Sequence, residues 1–214
     1  VYKRQAFNST VTGTSFNGIP FFSADTSSIY THDVSGTDDT ANYNTAYGIE
    51  APDAITTGDD NTALGYQSLS ANTTGQRNVA IGKKALFANT TANYNIAIGF
   101  EALAANTTAA DNIAIGKSTM EANTTGTRNL AIGFEAYVGS DTENDNIAIG
   151  YQAMTTNTAG GTENTAIGNY SMDTLTSGDQ NTAVGMNAMG AITTGNQNTA
   201  VGRASLLINT SGTG

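Results

Sequence analysis

The chain has no cysteine, a single histidine and two prolines, and only 12% of its 214 residues are charged. Without cysteine there is no disulfide framework, no thiolate nucleophile and no thiolate metal site. That absence fits a cytosolic protein, and it equally fits an extracellular repeat fibre held together by stacking. One histidine, His32, excludes a Ser-His-Asp triad or a His-based metal centre within one chain. Three copies of His32 about a three-fold axis would be needed to make a three-His site. A solvated loop histidine beside Asp33 is the simpler reading. Eight Lys and Arg face 18 Asp and Glu, a net charge of −10. Phosphate binding needs clustered cations, so this balance disfavours nucleic acid and anionic membrane surfaces. No apolar run approaches the length of a membrane span, so no membrane insertion is expected. The chain begins at Val1 without an initiator Met or a signal segment, and reads as a processed or partial chain.

What is present is a period. Asn44, Asn61, Asn78, Asn95, Asn112, Asn129, Asn146, Asn164, Asn181 and Asn198 are spaced by 17 residues, except for one step of 18 between Asn146 and Asn164. An alanine follows each anchor by two places and a glycine by four, as in Gly65, Gly82, Gly99, Gly116 and Gly133. The unit reads N-(T/I/V/L)-A-(I/L/V/Y)-G-x-x-(A/S/T)-(L/M)-x-x-N-T-T-G-x-x, with positions counted from the anchor. A fixed short period means stacked units, none of which buries its apolar face alone. Apolar content of 38% is low, but its strict periodicity makes disorder a poor reading.

The first four residues of the unit alternate as a short strand, and the fifth-place Gly permits a corner. A second short segment, such as Ala102-Leu103, then leads into the Asn-Thr-Thr-Gly corner. Seventeen residues holding two strands and two turns is too short for a helical repeat. The fold class expected is therefore all-β, a parallel β-roll (β-solenoid) of about ten 17-residue coils spanning 44–214. Coils spaced by ~4.8 Å make a rod roughly 48 Å long.

Stacking makes residues 17 apart neighbours. The last position reads Asp60, Arg77, Tyr94, Asp111, Arg128, Asp145, Glu163, with signs that alternate in places. The sixth reads Tyr66, Lys83, Phe100, Lys117, Phe134, Tyr151, placing lysines among aromatic rings. The twelfth accepts Asn in most coils and Ile55, Leu175 or Ile192 in others. It is either an inward corner with Asn bonded up and down the stack, or a polar turn. Residues 137–145 lose the Asn-Thr-Thr signature, and the following unit adds one residue near Gly160-Gly161. Asn72-Thr-Thr74 and its copies are glycosylation sequons created by the repeat itself, usable only in a host with the machinery.

The string N-x-A-I-G-x-x-A-L resembles the head repeats of YadA-like trimeric adhesins, and also repeats of some phage tail fibres and environmental surface proteins. The resemblance covers residues 44 to about 212, although the unit here is longer than the usual adhesin-head repeat. It implies a left-handed parallel β-roll wound as an intertwined homotrimer without catalytic machinery. A physical argument adds to it. If Ile96, Ile98 and Leu103 fill the roll, Ala97 and Gly99 leave a flat face of small residues suited to the approach of another chain.

Residues 1–43 lie outside the period and are expected to be a cap or docking segment. Phe16, Ile19, Phe21 and Phe22 make its apolar stretch, which either covers the first coil's open edge or joins the rod to another part of a fibre. Ser35–Ala41 reads as the link into the array. No catalytic residue, metal ligand or cofactor is indicated. Asp38-Asp39 and Asp59-Asp60 are sequence neighbours that a strand would point to opposite faces, so neither pair makes an acid/base couple, and a polysaccharide-cleaving spike finds no carboxylate pair. The function expected is an adhesive or structural fibre segment on a cell surface or virion, whose partners are copies of itself, neighbouring fibre or surface proteins, and a glycan or matrix receptor. The alternative is an ice- or lattice-binding β-solenoid. Its Thr row at the second position is interrupted by Val79, Ile96, Ile113, Leu130 and Ile147.

Overall fold

A computed structural model describes residues 14–16, 19–21, 40–157, 160–208 and 210–212. His32, Asp33, Phe22 and the 35–39 part of the expected link lie outside the described residues. Two N-terminal strands, β1 (Thr14–Phe16) and β2 (Ile19–Phe21), pair antiparallel with Phe16 opposite Ile19. The candidate docking residues Phe16, Ile19 and Phe21 thus sit in two paired antiparallel strands.

From residue 40 the chain is an all-β solenoid. Ten three-residue strands follow at the repeat spacing: β3 (Thr45–Tyr47), β4 (Thr62–Leu64), β5 (Val79–Ile81), β6 (Ile96–Ile98), β7 (Ile113–Ile115), β8 (Leu130–Ile132), β9 (Ile147–Ile149), β10 (Thr165–Ile167), β11 (Thr182–Val184) and β12 (Thr199–Val201). They form one parallel sheet in chain order, in unbroken register, with Ala80 beside Ala97 and Ala97 beside Ala114. The extra residue near Gly160 leaves this register intact, since Ala148 still pairs with Ala166.

Each coil has one strand, where two were expected. Ala102-Leu103 and its equivalents are turns. The reason lies in the backbone: the seventh, ninth and seventeenth positions adopt left-handed conformations coil after coil, as at Glu101 (φ 55°), Leu103 (φ 51°) and Asp111 (φ 62°). Residues alternating in this way turn the chain tightly, yet they still spend their backbone groups on neighbouring coils. Glu101 donates its N–H back to Lys83 O at 3.0 Å, and Leu103 donates forward to Thr119 O at 3.0 Å. Turns whose N–H groups bond to both neighbours replace the second strand without leaving orphans. The cost is strain, because side chains other than Gly or Asn are disfavoured there by about 1–2 kcal/mol. Glu101→Asn should accordingly raise the thermal midpoint of the array by a few degrees, on the order of 0.5–1 kcal/mol of relief. A lowered midpoint would show that this corner is not strained.

The fifth-position glycines carry φ between 118° and 144° in all ten coils, from Gly48 to Gly202. Only Gly tolerates such values.

The interior is filled by the third-position alanines, the small eighth-position residues, and the ninth-position Leu and Met, exemplified by Ala97, Ala102, Leu103 and Met120 at 0% exposure. This reverses the expected assignment of the strand faces. Ala97 points inward, whereas Ile96 and Ile98 are half-buried on the outside, and β5 to β9 all show this pattern. The physical reason is room. The interior already holds a Leu or Met and two asparagine columns, so the strand can contribute only a methyl.

Those asparagine columns bind the stack. In every coil the anchor closes its own loop, its Nδ2 donating to the carbonyl fourteen residues on (fifteen at Asn146), as Asn95 does to Ala109 O at 2.8 Å. Its Oδ1 accepts the next anchor's backbone N–H, as Asn95 Oδ1 does from Asn112 N at 3.0 Å. The sites singled out in the sequence, Asn61, Asn78, Asn95, Asn112 and Asn129, all occupy this column. The twelfth position is likewise inward and bonded up and down the stack: Asn89 Nδ2 donates to Asn72 Oδ1 (2.9 Å) and Asn106 Nδ2 to Asn89 Oδ1 (3.1 Å). Half-buried threonines at the next position add a third column, with Thr73 Oγ1 donating to Thr90 O at 3.0 Å.

Candidate interaction surface

The alternation that sends alanine inward sends the second and fourth residues of all ten strands outward, onto one continuous face. Its twenty residues are fourteen aliphatics, five threonines and Tyr47, with no charge. The middle five coils are wholly aliphatic: Val79/Ile81, Ile96/Ile98, Ile113/Ile115, Leu130/Ile132 and Ile147/Ile149. Threonine appears only toward the ends, at Thr45, Thr62, Thr165, Thr182 and Thr199. Ten strands at ~4.8 Å make this stripe roughly 45 Å long. An uncharged apolar face of this length stands out on a chain with 18 carboxylates, and it has the character that interaction surfaces share.

Beyond the glycine corner runs the sixth-position column. Lys83 Nζ lies 5.5 Å from the centre of the Phe100 ring, and Lys117 Nζ lies 5.2 Å from that of Phe134. Phe134 and Tyr151 stack at 5.2 Å and 9°, and Tyr151 meets Tyr170 edge-on at 5.3 Å. Burial and the neighbouring Tyr170 hydroxyl push the Tyr151 pKa up. Each lysine reaches toward the ring of the following coil. Phe134 and Tyr151 cover one face of each other's ring, which leaves less of either face for a sugar ring.

The seventeenth-position column shows the expected ion pairs. Asp60 and Arg77 approach at 3.4 Å, and Arg128 pairs with Asp145 through both nitrogens, at 2.7 and 2.8 Å. Arg77 also donates to Tyr94 Oη at 2.5 Å, the leading cause of its raised pKa. Hydrogen bonding to Arg128 holds the Asp145 carboxyl below its usual range. All are exposed, so solvent screens them and they add little to stability.

The fourteenth position carries an exposed hydroxyl column, with Thr57, Thr74, Thr91, Thr108, Thr125, Thr142 and Thr194. It is a single row at a corner, beside thirteenth-position hydroxyls already spent on carbonyls. The sequons Asn72, Asn89, Asn106 and Asn123 are fully buried, their Nδ2 atoms bonded inside the coil, so a glycan cannot be attached in the folded state.

The departure at residues 137–145 is a packed cluster rather than a loose corner. Ser140 stands where the ladder has Asn, and Tyr137 stands where it has Leu or Met. The buried Tyr137 hydroxyl accepts from Asn146 Nδ2 (2.5 Å) and Asn157 Nδ2 (3.1 Å), so tyrosine supplies a polar atom that serine does not reach. Burial pushes the Tyr137 pKa far above its ordinary value. Glu143 takes the place of the corner Gly or Ala and is also buried. Its carboxylate accepts the N–H groups of Asp141 (2.8 Å), Thr142 (3.0 Å) and the inserted Gly160 (3.0 Å). The extra residue and the glutamate therefore belong to one local solution.

Among the described residues, no group of three or more His, Cys, Asp or Glu is placed to hold a metal ion, and no helix is long and apolar enough to cross a membrane. No family model, curated protein or solved structure matches this chain.

Proposed function

We propose that this chain is a segment of an extracellular fibre, on a cell surface or a virion, in which three copies pack their aliphatic stripes together about a common axis. One observation carries the reading: an uncharged apolar stripe faces outward from all ten coils, with its most apolar part at mid-length. A single solenoid has no use for fourteen outward aliphatic residues, whereas a rod of three chains buries them along its whole length. Of the Ala/Gly face suggested for that role by the sequence, the alanines are inside the coil and most of the glycines are half-buried at its corner, so the stripe replaces it. The rod would act mechanically, holding a receptor-binding part away from a surface, or present its outer Tyr, Lys, Asn and Thr columns to a glycan or matrix in three copies.

Light scattering on the native particle should give three chain masses. The double variant Ile98→Glu, Ile115→Glu places charges on the stripe without touching the coil interior. It should release single chains whose far-ultraviolet circular dichroism is unchanged. A wild-type particle of one chain would overturn the reading. Lattice binding would instead use the fourteenth-position threonine row, and thermal hysteresis in a cooled solution is its signature.

A further inference from the structure

We propose that one water molecule is bound inside the coil stack between Asn123 and Ser140, as a structural part of the fold. The twelfth-position ladder runs from Asn72 through Asn89 and Asn106 to Asn123, each Nδ2 donating to the Oδ1 of the coil before at 2.9 to 3.2 Å. The next member is Ser140, whose side chain has two fewer heavy atoms. Asn123 Oδ1 and Ser140 Oγ are both buried and have no hydrogen-bond partner within the protein. They belong to successive coils of the same column and are not hydrogen-bonded to each other.

No hydrogen bond from the surrounding residues closes this gap. Tyr137 is bulkier than the Leu or Met it replaces, but its hydroxyl is directed to the following coil, where Asn146 and Asn157 occupy it. Asn123 Nδ2 is spent on Asn106 Oδ1 and Gly126 O. The missing amide corresponds to roughly the ~30 Å³ that one water takes up. Water also suits the chemistry: it donates to Asn123 Oδ1, as the absent asparagine would, and exchanges a hydrogen bond with the Ser140 hydroxyl. A buried carbonyl oxygen left unpaired is destabilising, and a bridging water supplies the donor it lacks. Asn157 Oδ1 is also unpaired, but for another reason: the ladder ends there against Leu175, which offers no polar group.

A crystal structure at about 1.5 Å resolution tests this directly. The expected result is a single density peak within about 2.7–3.1 Å of both Asn123 Oδ1 and Ser140 Oγ. Three results would overturn it: no peak, a direct Ser140–Asn123 hydrogen bond, or a peak with ligand distances near 2.4 Å, which would be a cation. In solution, magnetisation transfer from a long-lived water to the amides of residues 123 and 140 gives an independent reading on the unaltered protein. The double variant Tyr137→Leu, Ser140→Asn restores the residues of neighbouring coils and should abolish that transfer. Its persistence would place the water elsewhere.

Discussion

Gly99→Ala should cost the array about 3 kcal/mol or more, and should divide its unfolding into two transitions. Gly99 sits at φ 141°, where any Cβ is strained, and the added carbon would fall against the Gly116 carbonyl, 2.6 Å from its carbon. Neither atom can yield, because Gly116 makes the same approach to Gly133 and the column repeats along the rod. In a solenoid each coil contacts only its neighbours, so a coil that cannot stack uncouples the two sides. Gly160→Ala is the control. Gly160 also has a positive φ, 102°, but an added Cβ there meets nothing within 4 Å. It should therefore show only the backbone penalty, about 1–2 kcal/mol. Urea midpoints of the two variants make the comparison; if they coincide, close coil-to-coil approach is not what the fifth glycine is for.

The second large effect lies in the anchor column, and pH separates its parts. Asn95→Ala removes the acceptor for Asn112 N–H and one of the two donors to Ala109 O, which keeps Asn106 Nδ2, so it strands one buried backbone group for about 1–3 kcal/mol. Asn95→Asp keeps the shape and the acceptor, but at neutral pH points a carboxylate at Ala109 O and Asn78 Oδ1, both acceptors. Burial and those oxygens disfavour the charged form, so the folded-state pKa of the new carboxyl should lie above its unfolded value. The sign follows from linkage: the folded state then binds the proton more tightly, and the variant loses stability as pH rises from the unfolded pKa through the folded one. Below that window the protonated carboxyl donates to Ala109 O as the amide does. The stability gap between Asn95→Asp and wild type should thus be wide at pH 7 and narrow toward pH 4. A gap that does not change with pH would mean that the anchor is solvated and that the ladder is not what closes the coil.

The period, the coil length, the parallel register and the corner glycines were all legible in the sequence, because a repeated chain supplies its own internal comparison. Stacking puts residue n over residue n + 17, and that alone foretold Asp60–Arg77, Arg128–Asp145 and the lysines over Phe100 and Phe134. The inward twelfth position was half-legible, since a site that accepts both Asn and Ile is buried whether or not it turns. The second strand was misread because Ala102-Leu103 has strand-like residues, while the left-handed backbone at Glu101 and Leu103 leaves no mark in their identities.

The strand faces were misread for a different reason. Hydrophobicity assigns Ile96 and Ile98 to the core and Ala97 to the edge, but the interior is limited by volume, not by polarity. One signal was available: the third position is alanine in every coil, whereas the second and fourth accept Thr45, Thr62, Thr165 and Tyr47. Invariance marks the tight place, and tolerance marks the open one. The sequence by itself determined that these residues stack as coils, because only stacking satisfies a 17-residue apolar period. Tertiary structure alone decided which side of each strand faces out. That choice depends on how much space two asparagine columns and a leucine leave inside a coil, and no single residue carries that quantity.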